Sequence, residues 1–183
     1  MKKPKVIYNI PWSSKKNIGK AYNEFAALVP DDAWVCFMDA DTLPTTPDYG
    51  RIIEQIILQN PQVEVFTCST NRVACKWQIA KGSDWYNDDI RFHRVFGANQ
   101  FEKYGCAVED VTDKMPLMSG HFICIKKSLW KELGGVAEGG MLGIDNDLHN
   151  RIKASGHRLY IAPGLYLYHW YRGGNRRYTL HLK

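Results

Sequence analysis

The sequence predicts an α/β fold, a mixed and mostly parallel sheet with helices on its faces. Three observations carry this. Short runs rich in β-branched and aromatic residues recur along the chain. Stretches with apolar residues at helical spacing separate them, and Pro, Gly or Asn-Pro punctuates most junctions. Alternation of the two periods is what a chain needs when helices cross over a sheet between strands.

The elements follow in order. "KVIYNIPW" (5–12) reads as a short buried strand. "NIGKAYNEFAAL" (17–28) sets Ile18, Ala21, Tyr22, Phe25 and Leu28 at helical spacing behind Asn17, a suitable N-cap. "VPDD" breaks that helix, and "AWVCFMDAD" (33–41) is a second strand. Pro47 and Asp48 suit a helix start, and Ile52, Ile53, Ile56 and Ile57 form its apolar stripe as far as Asn60-Pro61. "VEVFTCS" (63–69) is a third strand. Residues 71–117 hold Trp77, Trp85, Phe92, Phe96, Phe101 and Tyr104 among many charges with no clean period. They read as a partly helical, aromatic-rich excursion of the kind that carries binding specificity. "LMSGHFICIKK" (117–127) returns to strand, and "SLWKELGG" (128–135) is a short helix stopped by glycine. "GIDNDLHNRIKASG" (143–156) is a further helix, and "HRLYIAP" and "LYLYHWY" read as two final strands. One domain spanning 1–183 is expected, with no repeat and no low-complexity tract.

Composition narrows the function. Apolar residues at 45% and charged residues at 23% are ordinary for a folded soluble chain. No apolar run approaches the ~20 residues that span a bilayer. The opening "MKKPKVIYNIPW" has a short apolar run and no small-residue cleavage site, so it does not read as a signal peptide. The five cysteines, Cys36, Cys68, Cys75, Cys106 and Cys124, form no close pairs and read as reduced core residues. A cytoplasmic location is the expectation. The net charge of +5, concentrated in "KKPK" and "YRGGNRRYTLHLK", favours an anionic partner: phosphate groups, nucleic acid or an acidic membrane.

Two constellations carry chemistry. In "CFMDADTLP" (36–44), Asp39 and Asp41 end an apolar run, and residues two apart on a strand share a face. Like charges side by side repel, so a cation is the natural companion, although a strand end followed by a turn also accommodates both. Ligands in open α/β sheets bind beyond the carboxyl ends of strands, where Pro11, Trp12 and His169 also fall. The second constellation is "GIDNDLHNRIKASG", reached through the glycine-rich "GGVAEGGMLG". Asp145 near the helix start complements the helix dipole, and behind a flexible loop it can also serve as a general base if it reaches an acceptor hydroxyl.

These segments resemble a glycosyltransferase of the GT-A (Rossmann-like) fold, most similar to family 2. "NIGKAYN" is similar to the family's asparagine–glycine helix opening, and "VCFMDADTLP" to the strand ending in the DXD motif. "MSGHFICIKKSLWKELGGV" resembles the acceptor-side strand, and "GIDNDLHNRIKASGHRLYIAPGLYLYHW" the acidic helix and final strand with its histidine. The four lie in the family's order and cover a little over half the chain. The resemblance implies a manganese or magnesium cofactor. Asp41 would bind the metal, Asp39 would touch the metal or the donor ribose, and His169 would be a further ligand or a diphosphate contact. Asp145 matches the catalytic aspartate, with Asp147 its competitor. Pro11 and Trp12 would line the nucleotide base pocket, and Asn17 and Lys20 would reach the nucleotide or its phosphates. Ser119, Gly120 and His121 would border the donor sugar, and Arg172 would lie in a loop over the diphosphate.

The chain departs from the family in two places. "NIPWSSKKNIG" passes almost directly from the first strand to the asparagine–glycine helix, where the family has a further strand–helix–strand unit. Ile144 stands where the family has a glutamate just before its catalytic aspartate. The expected function is metal-dependent transfer of a sugar, with inversion, from a nucleotide-sugar donor, expected to be a UDP-sugar, to an acceptor hydroxyl. The acceptor would be a glycan or another hydroxyl compound, a modified nucleic acid being the further candidate. A nucleotidyltransferase or other metal-dependent phosphoryl-transfer enzyme is the alternative, since paired aspartates also serve two-metal chemistry. A non-catalytic nucleotide-sugar binding module is the third class.

Overall fold

The computed structural model describes residues 3–171. The elements are β1 (Val6–Asn9), α1 (Ile18–Leu28), β2 (Trp34–Met38), β3 (Thr42–Pro44), α2 (Tyr49–Gln59), β4 (Val65–Thr70), α3 (Ile90–Tyr104), β5 (Glu109–Asp110), β6 (Phe122–Lys126), α4 (Lys127–Glu132), α5 (Ile144–Ala154) and β7 (Tyr160–His169). A 3₁₀ turn, Lys76–Gln78, follows β4.

They build one seven-stranded sheet in the order β1-β2-β6-β4-β7-β3, with β5 also paired to β7. β1 pairs β2 in parallel and β4 pairs β7 in parallel, while β6 lies antiparallel between β2 and β4. β1, β2, β4 and β7 therefore share one direction, and β3, β5 and β6 run against it. The sheet is mixed, as expected.

Helices cover both faces. Val35 and Phe37 of β2 and Ile123 and Ile125 of β6 meet Tyr22 of α1, Leu129 of α4 and Leu148 of α5. The alternate residues Cys36 and Cys124 join Phe66 and the Ile52–Ile53–Ile56 stripe of α2 on the other side. Because both faces are covered, every residue of β2 and β4 is buried, which is why these strands read as continuous apolar runs. All five cysteines are buried and free.

α3 lies within the aromatic-rich excursion, which read as partly helical. Two short strands, β3 and β5, and the course of β7 differ from expectation. β3 adds a short strand after the aspartate pair. The two expected final strands are one, β7, running through Pro163 and Gly164. It stays paired because its register against β4 shifts between Cys68 and Ser69, and the Ser69 hydroxyl donates to the carbonyls of Pro163 and Leu165. Gly164 is required there: a Cβ would come within 2.1 Å of the Gly105 carbonyl oxygen.

Candidate active site

The aspartate pair sits in a turn. β2 ends at Met38, and the Thr42 amide donates to the Asp39 carbonyl at 3.1 Å, closing a β-turn over Asp39–Thr42. Strand alternation is thus not what brings the two carboxylates together. The turn does, and β3 then pairs Thr42 opposite His169 of β7. The Trp170 amide donates to the Asp41 carbonyl at 2.8 Å, locking the two chain segments side by side.

Asp39, Asp41 and His169 each offer one ligand atom within 4.8 Å of the others, the one such group of three found among the described residues. His169 is held from behind. Its Nδ1–H donates to the Arg72 carbonyl at 3.0 Å, and its own amide donates to Asn71 Oδ1 at 2.8 Å. Nε2 therefore faces forward, 3.2 Å from Asp41 Oδ1, a contact that needs a positive charge, a proton or a cation, between them. Two carboxylates and an oriented imidazole form a donor set acceptable to manganese, and the carboxylates also suit magnesium.

The electrostatics match a site short of positive charge. Burial is the main cause that pushes Asp39 up to about 6; His169 opposes it, and the charges of Asp41 and Asp145 add to it. Burial also acts to raise Asp41, but hydrogen bonding to His169, the His169 charge and Arg72 hold it below the ordinary carboxylate value.

Across the cleft stands Asp145, in the first turn of α5 behind the N-cap Gly143, whose φ of +89° suits glycine. Its Oδ2 accepts from the Gly120 amide at 3.0 Å. Gly120 permits this closeness, since a Cβ there would lie 3.1 Å from the Asp145 Cβ. Asp147 is occupied elsewhere: its Oδ2 accepts from the Ala137 amide at 2.7 Å and from Arg151 Nε at 2.8 Å. Ile144 is buried in the core and packs close to Gly19 of α1.

A cavity of ≈ 380 Å³ contains Asp39, Asp41, Ser119, Gly120, Asp145 and His169 in its lining. A neighbouring hollow joins Pro11 to Asp39 and Asp41. Trp12, Asn17 and Lys20 line a separate depression along α1. Asn17 is engaged there: its Oδ1 caps α1 through the Lys20 amide at 3.0 Å and accepts from Gly139 at 2.9 Å, tying the helix to the glycine-rich loop. Lys20 Nζ lies 3.6 Å from Glu24. His121 is fully buried, its ring 5.6 Å from that of His169, and it does not line the cleft; burial and the His169 charge hold it well below the usual histidine value. Arg172 lies outside the described residues.

Three supporting residues escaped sequence reasoning. Buried Arg72 donates through Nε to the His169 carbonyl at 3.0 Å and also binds Tyr168 and Asp88. Asn71 holds the His169 amide. Gln78 clamps Ser119 from both sides, donating to its carbonyl at 3.0 Å and accepting from its amide at 2.7 Å. All three lie in the excursion of 71–117, where no periodicity marks a polar residue as buried.

The chain matches the family described as "Glycosyltransferase like family 2" over residues 11–178. No curated protein matches it.

Proposed function

The chain belongs to the glycosyltransferase-like family 2, with an α/β sheet of the GT-A type, and we propose that its cleft transfers a sugar from a nucleotide-sugar donor to an acceptor hydroxyl. Family membership supports glycosyltransferase activity in general. The observation that carries the finer reading is the pairing, across one cavity, of an Asp39–Asp41–His169 cluster with Asp145.

Asp39, Asp41 and His169 would hold manganese or magnesium, whose charge would stabilise a leaving nucleoside diphosphate. Ser119 and Gly120 border the donor sugar, their backbone fixed by Gln78 and by Asp145. Asp145 is the general base. It takes the proton of the acceptor hydroxyl, the acceptor oxygen bonds to the anomeric carbon, and the bond from that carbon to the diphosphate oxygen breaks with its electron pair on the diphosphate. Attack opposite the leaving group inverts the anomeric centre. Asp145 is favoured over Asp147 because it lines the cavity, whereas Asp147 lies outside that lining and is paired with Arg151. Phosphoryl transfer through two ions is the weaker reading, since the cluster carries only two carboxylates.

The test is release of nucleoside diphosphate from a panel of nucleotide sugars with manganese, beside Asp41→Ala and Asp145→Asn. Release from one donor, abolished by chelator and by Asp41→Ala, is expected. Asp145→Asn should lower transfer to an acceptor by roughly 10²–10⁴-fold. Neither binding nor turnover of any donor would overturn the reading.

A further inference from the structure

A second cavity, ≈ 450 Å³, also has Asp145 in its lining. It shares Ala74, Ser119 and Asp145 with the cleft that holds the aspartate cluster, so the Asp145 carboxyl stands at the junction of the two spaces. Its walls are Trp77, Pro116 and Leu117, with Asn146 beside Asp145. Trp77 is 50% exposed and Leu117 41%, and both face a concave space instead of filling one. A large aromatic surface left in water on a cavity wall, with Lys76, Ser119, Asp145 and Asn146 in the same lining, is the arrangement of a ligand pocket and not of a packing defect.

The backbone that carries Trp77 is anchored. It is the middle residue of the 3₁₀ turn Lys76–Gln78, closed by the Gln78 amide on Cys75 at 3.1 Å. Gln78 is fully buried and bonded to Thr67 and to both backbone groups of Ser119. The same side chain that holds Ser119 in the cleft thus anchors the turn that carries Trp77. Met115 and Met118 flank Pro116 and Leu117 along the chain and are buried in the core.

We propose that this cavity is the acceptor subsite and that the acceptor is a sugar ring, stacked by its apolar C–H face on Trp77, with its reacting hydroxyl at Asp145 and a neighbouring hydroxyl bonded to Asn146. The proposal rests on the transferase reading above and names the substrate class of that site. A pyranose presents one flat apolar face and an equatorial rim of hydroxyls, which is the complement of an indole wall and a carboxyl–amide rim. A nucleic-acid acceptor needs cations that track successive phosphates. Lys76 is the one cation in this lining.

Two experiments separate the acceptor from the donor. In the first, methyl pyranosides, an oligonucleotide bearing a hydroxymethyl base, and short aliphatic alcohols compete as acceptors with the active nucleotide sugar. Transfer to a pyranoside is expected. Trp77→Ala should raise its KM by roughly tenfold, Trp77→Phe should restore part of that, and the donor KM should move far less. In the second, methyl pyranosides alone are titrated into wild-type protein and Trp77→Ala, and indole fluorescence is followed without donor. A change present in the wild type and lost in the variant supports the subsite even if no donor is ever turned over, in which case only the transferase reading fails. Preferred transfer to the oligonucleotide or the alcohols overturns the sugar acceptor. So does a pyranoside KM unmoved by Trp77→Ala, or binding of no pyranoside in either assay.

Discussion

His149 shows what a single buried side chain costs this fold. It lies one turn after Asp145 on α5, is 1% exposed, and neither ring nitrogen has a hydrogen-bond partner among the described residues. Burial, helped by the Lys153 charge, holds its pKa below 6.5. The sign follows from linkage. The unfolded histidine takes up a proton as pH falls through 6.5 while the folded one stays neutral, so the unfolded state gains protons first and stability falls on the acid side. His149→Leu removes both the unsatisfied nitrogens and that uptake. It is expected to raise unfolding free energy by about 1 kcal/mol at neutral pH and to flatten the decline toward about pH 5, as read by urea titrations. His93, also depressed by burial, differs in being satisfied. Its Nδ1 lies 2.7 Å from the Tyr166 hydroxyl and its Nε2 2.8 Å from the Asn87 carbonyl.

At the scale of elements, α1 and the glycine-rich loop set where Asp145 stands. Gly19 lets them touch: a Cβ there would lie 2.1 Å from the Ala137 carbonyl oxygen and 2.8 Å from Ile144 Cδ1. Alanine is favoured over glycine within a helix by about 1 kcal/mol, but the obstacle is backbone and cannot rotate away. Gly19→Ala is therefore expected to destabilise by about 1–3 kcal/mol and to lower transfer by displacing the loop that leads into α5. Thermal unfolding measured beside a transfer assay checks both. α1, α2 and α5 were readable because their inward faces are apolar at helical spacing. α3 was legible only as some helix within a partly helical stretch, without bounds, because the residues it buries are His93 and Gly97, which no hydrophobic period registers. Its N-cap was a legible clue: the Asp89 side chain accepts from the Arg91 amide at 2.9 Å.

For the whole molecule, the Asp39–Asp41–His169 cluster joins β2 to β7, strands that are not neighbours in the sheet. A cation bound only to the folded chain stabilises it by mass action. Manganese at a hundredfold its dissociation constant should add about 2.7 kcal/mol, a rise of roughly 5–10 °C in midpoint for a chain this size. Thermal unfolding with manganese and with chelator measures it, and Asp41→Asn should abolish the difference. An equal midpoint in both conditions would show that the cluster binds no cation.

The sequence by itself determined the α/β class, the order of the main strands and helices, and the segments that supply the site. These are local facts: period, breakers, and acidic residues at element ends. Only the tertiary structure decided which of those residues meet. His169 reaches Asp41 because β3 pairs with β7, a contact between positions over a hundred residues apart in sequence. Asp145 lines the cleft, while Asp147 is paired with Arg151 outside it. His121 sinks beneath the cleft while Gln78 and Arg72, unmarked by any motif, brace it. A turn, a register and a buried polar network are long-range choices, and they depend on which surfaces close against each other.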